Sequence, residues 1–258
     1  MRDDDRLNFT LPNVEFDDAE VCPKCLDTGV VVEEADGVRR ARPCDCRRQE
    51  ERTRREPAGG VPARYRECSL DNFRFFQGPT DVSAAAAHRL ARSFADNYPA
   101  VDAGLLLMGP VGVGKTHLAT GIIKYLSHEK GVRCHWCDFA ELLAEVKKRY
   151  AGSSFDEYAV LAPLLDAEVL LIDDLGSMRI RDWTLDILSY VINQRYVRQR
   201  LIVATTNYLD EPGGADESLT DRIGPRLRSR LLEMCKTVLI AGQDFRAEQF
   251  QKYLLRDI

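Results

Sequence analysis

Gly109-Pro110-Val111-Gly112-Val113-Gly114-Lys115-Thr116 is the stretch that decides how this chain is read. It satisfies GxxxxGK[ST], and it stands between an apolar run, Leu105-Leu106-Leu107, and a helical stretch from His117 to Ser127. Strand, glycine-rich loop and helix start, in that order, build a cradle for phosphate. Glycines leave the backbone N–H groups free to wrap the anion, and the helix N-terminus adds positive potential. Lys115 is placed to reach the β and γ phosphates of a nucleoside triphosphate, and the Thr116 hydroxyl to bind Mg²⁺. All eight residues are therefore candidate nucleotide contacts.

Two further strand ends support the loop. Val169-Leu170-Leu171-Ile172-Asp173-Asp174 is an apolar strand closing on paired carboxylates. Asp173 is the candidate Mg²⁺ ligand beside Thr116, and Asp174 the candidate general base that orients and deprotonates an attacking water. Leu201-Ile202-Val203-Ala204-Thr205-Thr206-Asn207 is a second buried strand ending in an amide. Asn207 is expected to fix the same water from the side opposite Asp174.

Helix-period segments alternate with these strands. Ser83 to Tyr98 carries a stripe of Ala87, Leu90, Ala91, Phe94 and Tyr98, and Phe139, Leu142, Leu143, Val146 and Tyr150 share another helical face. Asp138, three residues before Glu141, opens the latter as a capping box. Alternating strands and helices predict an α/β domain on a mostly parallel sheet. Cys134-His135-Trp136-Cys137 falls on its expected second strand, where residues three apart point to opposite faces, so it is not taken as a redox or metal pair. Cys68 and Cys235 are expected in the core, and His117 to pack or to face solvent without a catalytic part.

The strand ending in Asn207, with Arg222, Arg226, Arg228 and Arg230 shortly after it, resembles the AAA+ ATPases. Across residues 61–246 the chain is similar to the DnaC/DnaI/IstB group of that superfamily. The match is carried by Val61-Pro62-Ala63-Arg64-Tyr65 through Leu70-Asp71-Asn72-Phe73, GPVGVGKTHLA, VLLIDDLG, IVATTN, Arg228-Ser229-Arg230-Leu231 and Gly242-Gln243-Asp244-Phe245-Arg246. The resemblance implies a five-stranded parallel sheet flanked by helices, without a full C-terminal lid. It implies that Val61 to Phe73 lie over the adenine and that Arg230, with Arg226 as the other candidate, reaches a neighbouring subunit's ATP. It also implies that Arg246 contacts the nucleotide. A planar, permanently charged guanidinium suits transition-state charge supplied in trans.

Upstream of residue 60 the composition changes. Residues 38–56 carry eight arginines against four acids, and Pro57-Ala58-Gly59-Gly60 is a connection without periodicity. The expected division is an acidic N-terminus over 1–20, a module and linker over 21–60, and the ATPase domain over 61–258. Cys22-Pro23-Lys24-Cys25 and Cys44-Asp45-Cys46 place two thiolate pairs on either side of a hairpin turning at Asp36-Gly37. Four cysteines at the base of a hairpin predict a closed, structural Zn²⁺ site. The CxC spacing leaves an iron–sulfur cluster or buried thiols open.

By the resemblance, the protein is an ATP-dependent replicative helicase loader that hydrolyses ATP weakly, binds single-stranded DNA and assembles on ATP into a ring or spiral. Lys147, Lys148, Arg149 and Tyr150 are the candidate DNA contacts by phosphate pairing and base stacking; an ordinary basic helix C-terminus explains them equally. An IstB-like transposition helper is the alternative, and a small-molecule P-loop kinase a third.

The net charge of −5 argues weakly against nucleic acid until it is divided. Residues 1–20 hold seven acids and two arginines, so they account for all of it. No apolar run approaches a membrane span and the N-terminus lacks an apolar signal segment, which predicts a cytoplasmic protein with no membrane partner.

Overall fold

The structure is a computed structural model that describes residues 24–25, 28, 30–35, 38–44, 60–74, 81–150, 157–178, 182–212 and 216–247. It divides into two compact units, Met1–Arg54 and Arg55–Ile258.

In the first unit β1 (Val30–Ala35) pairs antiparallel with β2 (Val38–Pro43), from Ala35 opposite Val38 to Val30 opposite Pro43. Only Asp36 and Gly37 separate the strands, as the hairpin reading requires, although these two lie outside the described residues. Cys25 and Cys44 are buried near the hairpin's open end. The Thr28 N–H and hydroxyl both donate to the Cys25 carbonyl, at 3.0 and 2.6 Å, closing a turn just ahead of β1. Cys22, Cys46 and the acidic residues 1–20 lie outside the described residues.

The second unit is built on a five-stranded, all-parallel sheet in the order β4-β5-β6-β3-β7. Its strands are β3 (Gly104–Met108), β4 (Cys134–Asp138), β5 (Val169–Asp173), β6 (Leu201–Thr206) and β7 (Cys235–Leu239). The helices are α1 (Asp81–Asn97), α2 (Lys115–Lys130), α3 (Phe139–Tyr150), α4 (Glu157–Asp166), α5 (Asp182–Val197), α6 (Leu219–Ile223) and α7 (Pro225–Met234). The apolar runs in β3, β5 and β6 arise because these strands are covered on both faces. Leu105, Leu107, Leu171 and Val203 point into one core with α1 and α2. Leu106, Met108, Leu170, Ile172 and Ala204 point into the other, with α3, α4, α5 and α7. No helix among the described residues is long and apolar enough to cross a membrane.

Cys134 packs against the first core and Cys137 lies in the second, the opposite-face arrangement expected of a strand. Burial pushes both thiols up to about 12, which keeps them protonated and inert. Cys235 is buried, but Cys68 is only half-buried; it sits on a covering segment with one side open to a cleft, which corrects the core expectation. The stripe of α1 is also shifted. Ala84, Ala87, Ala91, Phe94 and Ala95 are buried, while Leu90 is 46% exposed. Small residues let α1 approach α2 closely, so the seam follows the alanines and leaves the leucine on the flank. The Glu141 N–H donates to Asp138 Oδ1 at 2.8 Å, the expected cap of α3.

Arg195 on α5 was not singled out by its sequence context. Its side chain is fully buried and donates to the carbonyls of Leu164, Ala167, Glu168 and Leu201, at 2.7, 2.9, 3.2 and 2.6 Å. It thus caps the end of α4 and holds it to the start of β6. Arg195→Met fits the volume but strands four carbonyls, so a loss of about 3 kcal/mol is expected. Urea unfolding checks it through a lower midpoint at unchanged slope.

Candidate nucleotide site

The carboxyl ends of β3, β5 and β6 meet at one edge of the sheet, where open α/β sheets place their ligands. The loop leaving β3 turns into α2 with Gly112 at φ 80° and Gly114 at φ 95°, left-handed conformations that disfavour a side chain. Both glycines have a second reason. A Cβ on Gly114 would meet the Phe73 ring at 2.6 Å, and one on Gly112 would meet Asp244 Oδ1 at 1.8 Å. Segments from before and after the sheet therefore press on the loop from two sides, which the phosphate argument alone does not reveal.

Lys115 is 5% exposed and donates through Nζ to the carbonyls of Gly109 and Pro110, at 2.9 and 2.7 Å, and to Asn207 Oδ1 at 2.7 Å. The Asn207 amide in turn donates to Asp174 Oδ1 at 3.3 Å. Asn207 and Asp174 thus touch, where the sequence reading set them on opposite sides of the attacking water. The reason is that β5 and β6 are adjacent strands whose ends are one sheet spacing apart.

Asp173 is 3% exposed and accepts at Oδ1 from the hydroxyls of Thr116, at 2.9 Å, and Thr205, at 2.6 Å. Burial raises its pKa, and the two hydroxyl donors oppose that rise. A hydroxyl and a carboxylate oxygen at the loop's helix end are the hard donors Mg²⁺ takes, so Thr116 and Asp173 fit it. Asp174 is held at φ 53° with its N–H donating to Thr205 Oγ1 at 2.9 Å. Thr205 therefore serves both carboxylates, a role hidden in the sequence by its place inside an apolar strand.

A cleft of about 460 Å³ opens beside the loop, lined among others by Arg64, Tyr65, Phe73, Lys115, Thr116 and Arg246. Its lower wall is the 60–74 segment. His117 Nε2 donates to Ser69 O and Asn72 Oδ1, both at 2.9 Å, and His88 Nε2 to Leu70 O at 2.7 Å. Phe73 stacks on His88 at 5.7 Å and meets His117 edge-on at 5.4 Å. His117 is a staple, in keeping with its non-catalytic reading. On the other wall, Ser83 bonds both backbone groups of Ala241, the Phe245 N–H donates to Gly112 O at 3.2 Å, and the Arg246 N–H donates to Asp244 Oδ1 at 2.9 Å.

The four arginines after β6 separate. Arg228 is buried and paired in a bidentate manner with Asp210, and Arg222 is held by Gly176, Ser177 and Glu217. Arg226 is exposed, and the Arg230 guanidinium lies 4.2 Å over the Tyr196 ring. Both line a groove between α5 and α7, and neither lines the chain's own cleft. Lys147 to Tyr150 end α3; their side chains lie outside the described residues.

The family of IstB-like ATP binding proteins matches over residues 61–252. The chain belongs to this IstB/DnaC-like family of AAA+ ATPases. Among curated relatives, the uncharacterized protein YqaM of Bacillus subtilis is 27% identical over 208 residues, 76% of this chain and 62% of that protein. Replicative helicase loader DnaC of Buchnera aphidicola subsp. Acyrthosiphon pisum is 28% identical over 171 residues, 66% of each. The chain thus spans just under two thirds of the length of each. The crystal structure of a DnaC helicase loader is 30% identical, with a TM-score of 0.59 over 69% of this chain and 99% of that one.

In this AAA+ protein, burial pushes Lys115 down to about 8, against the pull of Asp174 and Asp173 and with a smaller push from Arg246. A triphosphate on the loop favours the ammonium and raises that value. ATP affinity is therefore greatest below pH 8 and falls by up to about tenfold per unit above it, with one proton taken up on binding. Calorimetry at about pH 9 in two buffers of different ionisation enthalpy measures that proton; equal heats would rule it out.

Proposed function

We propose that this protein is an ATP-hydrolysing loader of a replicative helicase, working as a ring or spiral of like subunits on single-stranded DNA. The observation that carries the reading is the division of the machinery. Lys115, Asn207 and Asp174 form one hydrogen-bonded chain in the cleft, while Arg226, exposed, and Arg230, stacked on Tyr196, line a separate groove. Such a site is completed by a neighbour. The helicase-loader role comes from the DnaC relatives, and the IstB match keeps a transposition helper as the second reading.

In the mechanism, loop N–H groups from Val111 to Thr116 seat the phosphates, and Lys115 turns from the Gly109 and Pro110 carbonyls to the β and γ phosphates. Thr116 and Asp173 would hold Mg²⁺, which would supply charge neutralisation at the phosphates. Water attacks the γ-phosphorus, its proton passes to Asp174, and the bond to the β–γ bridging oxygen breaks to release ADP and phosphate. Asn207 holds Asp174 in line for that proton. Arg230 of a neighbouring subunit, or Arg226, offsets the charge that builds on the transferring group. Arg246 reaches the cleft from the strap over Gly112 and contacts the nucleotide.

The first unit is proposed to hold Zn²⁺ through Cys22, Cys25, Cys44 and Cys46. Burial of Cys25 and Cys44 near the hairpin's open end supports it, each with its sequence partner two or three residues away. Among the described residues alone no cluster of three metal-binding side chains occurs, since half of this set lies outside them. Four thiolates leave no open position, so the metal is structural. Lys147, Lys148, Arg149 and Tyr150 at the end of α3 are the proposed DNA contacts.

Two experiments test these assignments. Lys115→Ala and Arg230→Ala subunits, each inactive alone, recover ATPase activity when mixed, because one supplies the finger and the other the intact cleft. No recovery, with a monomer by light scattering, would instead favour a kinase with a self-contained site. The intact protein also co-purifies with the host's replicative helicase and with about one Zn²⁺ per chain. The cysteine module is proposed to make the helicase contact, so removal of residues 1–60 abolishes the association; a truncated chain that still holds the helicase refutes that assignment.

A further inference from the structure

Arg222 on α6 serves neither the cleft nor the groove. Its Nε donates to the Gly176 carbonyl at 2.7 Å, Nη2 to the Ser177 carbonyl at 2.9 Å and Nη1 to Glu217 Oε2 at 2.9 Å, while the guanidinium lies 4.7 Å over the Tyr208 ring. The side chain is only 9% exposed. Each of the three guanidinium nitrogens donates to a partner. The carbonyls it holds belong to the turn that begins at Asp174, where the Ser177 N–H donates back to Asp174 O at 2.9 Å.

That turn is unusually constrained. Asp174 is left-handed, the Leu175 N–H donates to Thr205 O at 2.8 Å, and the Thr206 hydroxyl donates to Leu175 O at 2.7 Å. Gly176 is left-handed too, and a Cβ there would stand 3.2 Å from Arg222 Cβ and 3.3 Å from the Tyr208 ring. A non-glycine residue held in the left-handed region persists only where its surroundings over-determine it. β6 fixes the first half of the turn, and Arg222 fixes the second. Two residues beyond Arg222, Gly224 ends α6 and starts α7, the helix that bears Arg226 and Arg230.

We propose that Arg222 is a positioning residue for hydrolysis, clamping the turn that aims Asp174 and joining it to the helix that presents Arg226 and Arg230. The role rests on the ATPase reading of the cleft. Because the clamp grips Gly176 and Ser177 rather than the phosphate loop, it acts on turnover and not on nucleotide affinity. A lysine reaches a carbonyl but cannot fork across two while stacking on Tyr208, so it replaces the arginine only in part.

The test uses the full chain, with ATP and Mg²⁺ for turnover and a fluorescent ATP analogue for affinity. In Arg222→Met, kcat per folded subunit is expected to fall about 10- to 100-fold with the dissociation constant held within about threefold, and Arg222→Lys to recover part of the loss. In an Asp174→Asn background, already slow, Arg222→Met lowers kcat little further, because the two residues act as a unit. Parental kcat in Arg222→Met, or the same fold-loss in both backgrounds, overturns the clamp alone. Should Arg222→Met fail to fold, Glu217→Gln loosens the same guanidinium; about a threefold loss of kcat supports the clamp, and none overturns it. A parent chain that hydrolyses no ATP overturns the ATPase reading and the clamp with it.

Discussion

One carboxylate oxygen organises the site. Oδ1 of Asp173 accepts from Thr116 on the first turn of α2 and from Thr205 on β6, so that strand, loop helix and neighbouring strand share a single buried acceptor. A buried carboxylate is costly unless it is hydrogen-bonded, and the two hydroxyls supply those bonds. The same hydroxyl of Thr205 then accepts from the Asp174 N–H. Placement of the metal-binding acid and placement of the general base are therefore one problem with one solution.

The loop's glycines extend that constraint outward. If they served only to bare N–H groups for phosphate, space around Gly112 and Gly114 would be incidental. It is filled instead by Asp244 from beyond β7 and by Phe73 from before α1. Phe73 is in turn held by His88 and His117, and Asp244 holds the backbone of Arg246. Segments some 170 residues apart in sequence thus meet on one loop, and the cleft exists only between them. A side chain at either glycine would open the walls as well as obstruct the phosphates.

The sequence shows the chemistry of this site more fully than its geometry. Periodicity and strand-end polarity were enough to place Lys115, Thr116, Asp173, Asp174 and Asn207 together, since each ends a buried apolar run or follows one. What they could not show depends on lateral relations between strands. The contact of Asn207 with Asp174 follows from β5 and β6 being neighbours, and strand order is not written in any local pattern. Thr205 sits inside an apolar strand and Arg195 carries no motif, because the partners of both are distant in sequence. Leu90 was misplaced for the opposite reason: hydrophobicity favoured it, but a seam of alanines allowed closer packing. The cysteine module and the end of α3 rest on their sequence pattern, with Cys25 and Cys44 the exceptions.

The arginines after β6 show how structure resolves what composition leaves degenerate. Four guanidiniums within nine residues share one chemistry, and composition alone does not separate those held by the fold from those turned outward. Burial removes Arg228, which needs Asp210 to be tolerated at all. Arg222 is taken by the turn after β5. Arg226 and Arg230 remain, on the far side of Gly224, whose φ of 83° breaks the helix between Arg222 and the three arginines that follow it. That break makes the division possible: a continuous helix would carry all four on a single rigid rod, whereas here the pair facing the groove is set apart from the residue that grips the chain's own site. Arg222 grips the turn that begins at Asp174, and Gly224 joins its helix to the one that carries the charges offered outward.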